Sequence, residues 1–222
     1  MSERIVAIVP VRSLRNGKTR LAPVLGPEAR EALLRRTAQR VVSAARDSGA
    51  IETVLVVSPD TEALAWAANL SPAVVAALQP PHLPGLNGAI DAGRAWAMAQ
   101  GVTAVVSLFA DLPLLTPDDV LGLMTRPEPV VLGPDRRAEG TNALLLRLAG
   151  RGPEFTFAFG EKSLVRHLAE ARRLDMDVAL HESPGIGFDL DTPEDWADFL
   201  DAAIEPTVSG ALTSATCGVR IG

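Results

Sequence analysis

The stretch RIVAIVPV, residues 4–11, is a short β-branched apolar run with polar residues at its borders. Strands buried on both faces of a parallel sheet read this way, as near-continuous apolar runs without alternation. Two more runs share the pattern, ETVLVVS at 52–58 and TAVVSLFA at 103–110. The segments between them read as helices. In 27–49, Leu33, Leu34, Thr37, Val41 and Ala45 fall on one helical face. Pro27 suits the first turn there, and Gly49 suits the stop. Shorter helices are expected at 61–69 and at 87–100, the second capped by Asn87. Strand–helix alternation with short connections implies an α/β fold, a doubly wound, mostly parallel sheet. The alternation continues less regularly, with strands at 129–133, 141–148 and 176–181 and helices at 117–125, 162–173 and 193–203. No repeat or linker interrupts it. A single domain is expected over 1–204, followed by a tail, 205–222, whose Ser, Thr and Gly content suggests disorder.

Composition narrows the classes of function. The 222 residues are 47% hydrophobic, enough for one large core, and the net charge is −6. That balance argues against a nucleic-acid binder, which carries a basic face. It leaves an anionic substrate open, because local clusters set the local potential. One cysteine, Cys217, excludes an internal disulfide and a cysteine metal site. A reducing, cytoplasmic setting is therefore expected. The first residues, MSERIVAIVPVRS, hold too short an apolar run for a signal peptide, and no segment is long and apolar enough to span a membrane.

In open α/β sheets, ligands bind beyond the carboxyl ends of the strands. That rule selects Arg12 to Arg20, Ser58 to Asp60, Gln79 to Asn87, Asp111, and Asp189 with Asp191. The first of these, RSLRNGKTRLAP at 12–23, nearly matches the phosphate loop G-x-x-x-x-G-K-[ST], with Gly17, Lys18 and Thr19 in place. Arg12 replaces the first glycine, and Pro23 separates the motif from the helix that should cradle the phosphate. The phosphate-loop reading fails on both counts. Four cations remain, Arg12, Arg15, Lys18 and Arg20, and phosphate is the natural guest for such a group. A merely solvated basic loop is the alternative.

In GIGFDLDTPEDW, residues 185–196, Asp189 and Asp191 are one residue apart and are read as sharing one face of a strand end. Thr192 and Pro193 start the next helix, which explains Asp191 as a turn residue but not Asp189 between Phe188 and Leu190. Asp111 ends another apolar run before Leu112-Pro113, either as a turn former or as a ligand. Three carboxylates on one sheet edge, without histidine or cysteine, suit a hard cation such as Mg²⁺. Asp118 and Asp119 read as helix-opening residues. His82, His167 and His181 are scattered, with no pair at metal-ligand spacing.

Taken in order, PVRSLRNGKTRLAP, LNGAIDAG, FADLPLL, GTNALLL, FGEKS and DLDTP make the chain resemble the guanylyltransferases of coenzyme F420 biosynthesis, over about residues 4–200. That family is similar in fold to the molybdenum-cofactor guanylyltransferases, a Rossmann-like, nucleotide-diphospho-sugar transferase-like sheet. The resemblance implies transfer of GMP from GTP to the phosphate of phosphoenolpyruvate or 2-phospho-L-lactate, with release of pyrophosphate. It implies Mg²⁺ on Asp111, Asp189 and Asp191, and acid contacts at Thr141, Gly160 and Ser163. Nucleotide contacts would fall at Val11, Arg12, Lys18, Asn87 and Asp111, with Lys18, Arg12 and Arg20 neutralising charge during transfer. Arg12 stands where relatives often have lysine, so a fork replaces a point charge.

The attacking phosphate oxygen is already ionised, so no general base is needed and the missing catalytic His or Cys is expected. The expected partners are GTP and a small phosphorylated three-carbon acid, with no nucleic acid and no membrane, and the reading leaves room for a homodimer. The rivals are a nucleotidyltransferase of the same fold with another acceptor (3-phosphoglycerate, molybdopterin or a sugar phosphate) and a non-catalytic nucleotide-binding protein.

Overall fold

The computed structural model describes residues 3–15 and 17–201. The tail at 205–222 and the last two residues of the helix expected at 193–203 lie outside the described residues. A seven-stranded sheet forms the centre: β1 (Ile5–Pro10), β2 (Thr53–Ser58), β3 (Val74–Leu78), β4 (Ala104–Leu108), β5 (Val130–Pro134), β6 (Thr141–Arg147) and β7 (Val178–Leu180). Their spatial order is β3-β2-β1-β4-β6-β5-β7, and only β6 runs antiparallel to its neighbours. The expectation of a mostly parallel, doubly wound sheet holds. The strand β3 was not foreseen. Its sequence, VVAAL, is short and alanine-rich, and as an edge strand it leaves Leu78 exposed.

Successive residues of the central strands face opposite layers. Ile5, Ala7 and Val9 pack with α1 (Pro27–Asp47), α2 (Thr61–Ala68) and α4 (Pro117–Met124). Val6 and Ile8 pack with α3 (Gly85–Ala99), α5 (Ser163–Arg173) and the aromatic run Phe155, Phe157 and Phe159. Each such buried aliphatic side chain contributes about 1.5–3 kcal/mol. The α3 helix lies close on β1 because residue 93 is glycine: a Cβ there would sit 2.7 Å from Ile8 Cγ2.

Several helix starts follow the local chemistry. Thr116 and Asp119 form a reciprocal capping box on α4. Thr192 accepts from Asp195 N–H, and Asp195 accepts from Thr192 N–H, which opens the helix at 193–201. Asn87 departs from expectation. The α3 helix begins at Gly85 behind Pro84, and Asn87 is its third residue, not its cap. A single helical turn, α6 (Pro184–Gly187), precedes 188–191, so Asp189 and Asp191 do not end a strand.

No helix among the described residues is long and apolar enough to cross a membrane.

Candidate active site at the sheet edge

The carboxyl ends of β1 and β4 meet the amino end of β6 on one edge. They do so because β6 runs backward: Leu108, the last residue of β4, pairs with Ala143, and Phe109 N–H donates to Asn142 O. Thr141 and Asn142 therefore stand beside Ala110 and Asp111. A cleft of about 1310 Å³ opens over this edge. Its lining includes Val11, Arg12, Lys18 and Arg20 from one side and Thr141, Gly160 and Ser163 from the other. Asp111, Asp189 and Asp191 lie at its base.

The two halves of the base are tied by backbone. Leu190 N–H donates to Asp111 O at 3.2 Å, and the Leu190 side chain is buried with Leu21 and Leu33. Burying Leu190 turns Asp189 and Asp191, its neighbours on either side, toward the cleft. The alternation expected of a strand thus survives in an extended segment without a ladder partner.

Lys18 is the hub. Its side chain is 6% exposed, and Nζ bonds to Asp111 Oδ2 at 2.7 Å and to Asp191 Oδ1 at 2.6 Å. Burial pulls the ammonium down in pKa, but the charges of Asp111 and Asp191 and their hydrogen bonds outweigh it, and the net shift is upward. Its backbone is left-handed, at φ 54, an uncommon state for a side chain other than glycine. Lys18, expected to neutralise charge on the triphosphate, is bonded to two carboxylates.

Asp189 pairs with no cation among the described residues. Burial raises its pKa, the nearby charges of Asp111 and Asp191 raise it further, and the Asn142 hydrogen bond opposes them. Asn142 Nδ2 donates to Ile186 O at 2.9 Å and to Asp189 Oδ1 at 3.4 Å. Asp111 Oδ1 is buried with no hydrogen-bond partner among the described residues. As the side chains stand, no three Asp, Glu, His or Cys groups among the described residues converge to hold a metal ion.

Arg12 and Arg20 are exposed on the cleft rim and make no ion pair among the described residues. Arg15 is diverted: its Nε bonds to Glu62 at 2.7 Å, away from the cleft lining. Val11 lines the cleft, with its N–H given to Val57 O. Asn87 is not in that lining. Its side chain clasps the Phe159 backbone, accepting from Phe159 N–H at 2.8 Å and donating to Phe159 O at 3.2 Å. It thereby positions the loop that leads to Gly160. Gly160 adopts φ 116, open to glycine and few others. Its carbonyl accepts from Ser163 N–H, the first residue of α5, at 3.1 Å. Thr141 is buried, and its Oγ1 lies 3.0 Å from His167 Nδ1.

Three residues with roles here escaped the sequence reading. They are Asn142, His167 and Asp195. Asp195 holds Asp191 in place through Asp191 N–H at 3.0 Å while pairing with Arg136. Burial pushes the Asp195 carboxyl up, but backbone donors from Thr192 and Asp191 outweigh it, and the net shift is downward. The only local signal was the T-P-E-D spacing of a capping box.

A family model described as "Guanylyl transferase CofC like" matches residues 5–202. A phosphoenolpyruvate guanylyltransferase of Rubrobacter xylanophilus is 42% identical over 87% of this chain and 92% of its own. A 2-phospho-L-lactate guanylyltransferase of Methanothermobacter thermautotrophicus is 31% identical over 87% of this chain and 83% of its own. Among solved structures, a nucleotide-diphospho-sugar transferase-like protein of Desulfovibrio desulfuricans superposes with a TM-score of 0.68 at 17% identity, over 86% of this chain and 83% of its own.

Proposed function

The chain belongs to the CofC-like guanylyl transferase family and is thus an enzyme of nucleotidyl transfer, and from that premise we propose that it transfers GMP from GTP to the phosphate of phosphoenolpyruvate, in the assembly of the coenzyme F420 side chain. An oxygen of the acid's phosphate forms a bond to the α-phosphorus of GTP. The bond from that phosphorus to the bridging oxygen breaks, and pyrophosphate leaves. No proton needs to move, so catalysis reduces to positioning and charge.

The observation that carries this reading is the division of the cleft around the Asp111–Lys18–Asp191 cluster. Two exposed arginines, Arg12 and Arg20, stand on one side, and Thr141, Gly160 and Ser163 on the other. The arginine forks suit the triphosphate. The hydroxyls of Thr141 and Ser163 suit the oxygens of a small acid. The cleft volume of about 1310 Å³ exceeds the roughly 300–1,000 Å³ of single-ligand sites, which fits two substrates bound together.

A divalent cation fits this base on charge. Three carboxylates, Asp111, Asp189 and Asp191, face one ammonium, which leaves two negative charges where two anionic substrates must enter. Asp111 Oδ1, buried and without a hydrogen-bond partner among the described residues, is an oxygen of the right kind for a hard cation. Asp111, Asp189 and Asp191 would hold Mg²⁺, which when bound supplies neutralisation of the phosphate charge. Lys18 bridges Asp111 and Asp191, and Asn142 orients Asp189.

Pyrophosphate release, measured for GTP, ATP, CTP and UTP against phosphoenolpyruvate, 2-phospho-L-lactate and 3-phosphoglycerate, tests the assignment. Release is expected with GTP and phosphoenolpyruvate. Equal turnover with ATP, or a preference for 3-phosphoglycerate, would sink it.

A further inference from the structure

His167 is fully buried in α5, with no exposed surface, and makes two polar contacts. Its Nε2 lies 3.0 Å from Ala158 N. A backbone N–H can only donate, so Nε2 is an acceptor and carries no proton. A neutral imidazole has one N–H, which must then be on Nδ1. Nδ1 faces Thr141 Oγ1 at 3.0 Å, so the ring donates to the hydroxyl oxygen. The hydroxyl proton is thereby turned away from the ring, since two donors cannot face each other. No other side-chain bond to Thr141 Oγ1 is present among the described residues, and Thr141 lines the cleft.

We propose that His167 is a positioning residue that fixes the Thr141 hydroxyl as a hydrogen-bond donor to an oxygen of the phosphorylated acid. This rests on the reading of Thr141 as an acid contact and deepens it. The ring cannot easily rotate out of the role. Phe159 meets it edge-on at 4.5 Å between centroids, and Phe155 stacks at 6.1 Å. The ring also stays neutral: burial, and then the nearby Arg166 charge, lower its pKa to about 4 against the pull of Glu170. A protonated ring would put an N–H against Ala158 N–H and break the arrangement. The loop carrying Gly160 and the β6 threonine are thus aligned by one side chain that touches neither substrate.

Two amides separate the contacts of His167. In His167→Asn the amide nitrogen takes the place of Nδ1 and retains the donor to Thr141. In His167→Gln the amide oxygen takes the place of Nε2 and retains the acceptor for Ala158 N–H. Steady-state pyrophosphate release with GTP and phosphoenolpyruvate, on the whole protein, reads the difference. His167→Gln is expected to raise KM for the acid about tenfold or more and to leave KM for GTP within threefold. His167→Asn should rescue KM for the acid even where its melting temperature falls. In a Thr141→Val background, His167→Gln should have no further effect on that KM. Equal KM effects in the two His167 variants, or an undiminished effect in the Thr141→Val background, overturn the positioning role alone. An unchanged KM for the acid in Thr141→Val overturns the acid-contact reading and this one with it.

Discussion

Lys18 Nζ sits 2.7 Å from one oxygen of Asp111, while the other oxygen of that carboxylate is buried with no hydrogen-bond partner among the described residues. The pair is therefore half complete. One oxygen holds the lysine, and the other is the one proposed for the cation.

Replacing the lysine tests the first half. Lys18→Met leaves Asp111, Asp189 and Asp191 facing one another without a cation. Because Asp111 and Asp191 keep 26% and 43% exposure, solvent softens the loss. Metal-free stability should fall by about 1–3 kcal/mol. Adding Mg²⁺ should then stabilise the variant more than the parent, since the cation relieves a larger repulsion. Equal melting temperatures for the two proteins in chelator would count against the cluster as described.

Asp189 behaves differently from Asp191. Asp189 pairs with no cation among the described residues and its pKa is raised, so removing its charge relieves repulsion. Asp189→Asn should leave metal-free stability unchanged or higher and lose the stabilisation given by Mg²⁺ with GTP. Asp191→Asn breaks an ion pair with Lys18 and should melt lower. Most guanylyl transfer should be lost in both. Melts with and without Mg²⁺–GTP decide the matter: a fully active Asp189→Asn protein with its ligand shift intact would remove the metal assignment.

Acid should weaken the fold through His167. Its folded pKa of about 4 lies below the unfolded 6.5, so the neutral ring contributes stability that is whole above 6.5 and lost as pH falls toward 4. The full loss is about 3 kcal/mol, at 1.36 kcal/mol per pKa unit. Glu170, held near 2 by Arg173 and the Thr156 backbone, acts mostly at lower pH, and Asp189 has the opposite sign because its pKa is raised. Denaturant titrations at pH 7.5, 5.5 and 4 should show the slope in the parent and a flatter one in His167→Gln. Identical slopes would mean that the ring is not the group responsible.

The rim arginines make no ion pair among the described residues, so their removal should spare the fold to within about 0.5 kcal/mol. Arg12→Ala and Arg20→Ala should each raise KM for GTP about tenfold or more, as the loss of a charge-assisted bond does. Arg12→Lys should recover only part of it, because a point charge replaces the fork. Arg15→Ala is the control, since Arg15 pairs with Glu62. If Arg15→Ala weakened GTP as much as Arg12→Ala, bulk charge and not position would be at work.

What the chain disclosed in advance was governed by how local the cause was. The strands β1, β2 and β4 are buried on both faces, so their runs are continuous and legible. The edge strand β3 carries alanines and an exposed Leu78, and nothing local separates it from a loop. Asp111 was legible because it follows a buried strand, and Asp189 and Asp191 because the apolar Leu190 between them sets the alternation, although no strand ends there. Lys18 was found but its carboxylate partners were not, because only tertiary packing brings Asp111 and Asp191 to it from 93 and 173 residues away. Asn87 read as a cap because the cap rule is local, whereas its partner, Phe159, is 72 residues distant. His167 had no pattern at all until the backbone of Ala158 and the hydroxyl of Thr141 stood on either side of it.

The reversal of β6 also sorts the chain by task. The side of the cleft proposed for the nucleotide comes from residues up to 111, on parallel strands joined by helical crossovers. The side proposed for the acid comes from residues 135–163, after the sheet has changed direction. Loops tolerate exchange better than the scaffold that carries them. An acceptor pocket could therefore be redrawn within 135–163, by grafting or by drift, while the donor half kept its geometry. One backward strand makes a single sheet behave, for retargeting, like two interchangeable parts.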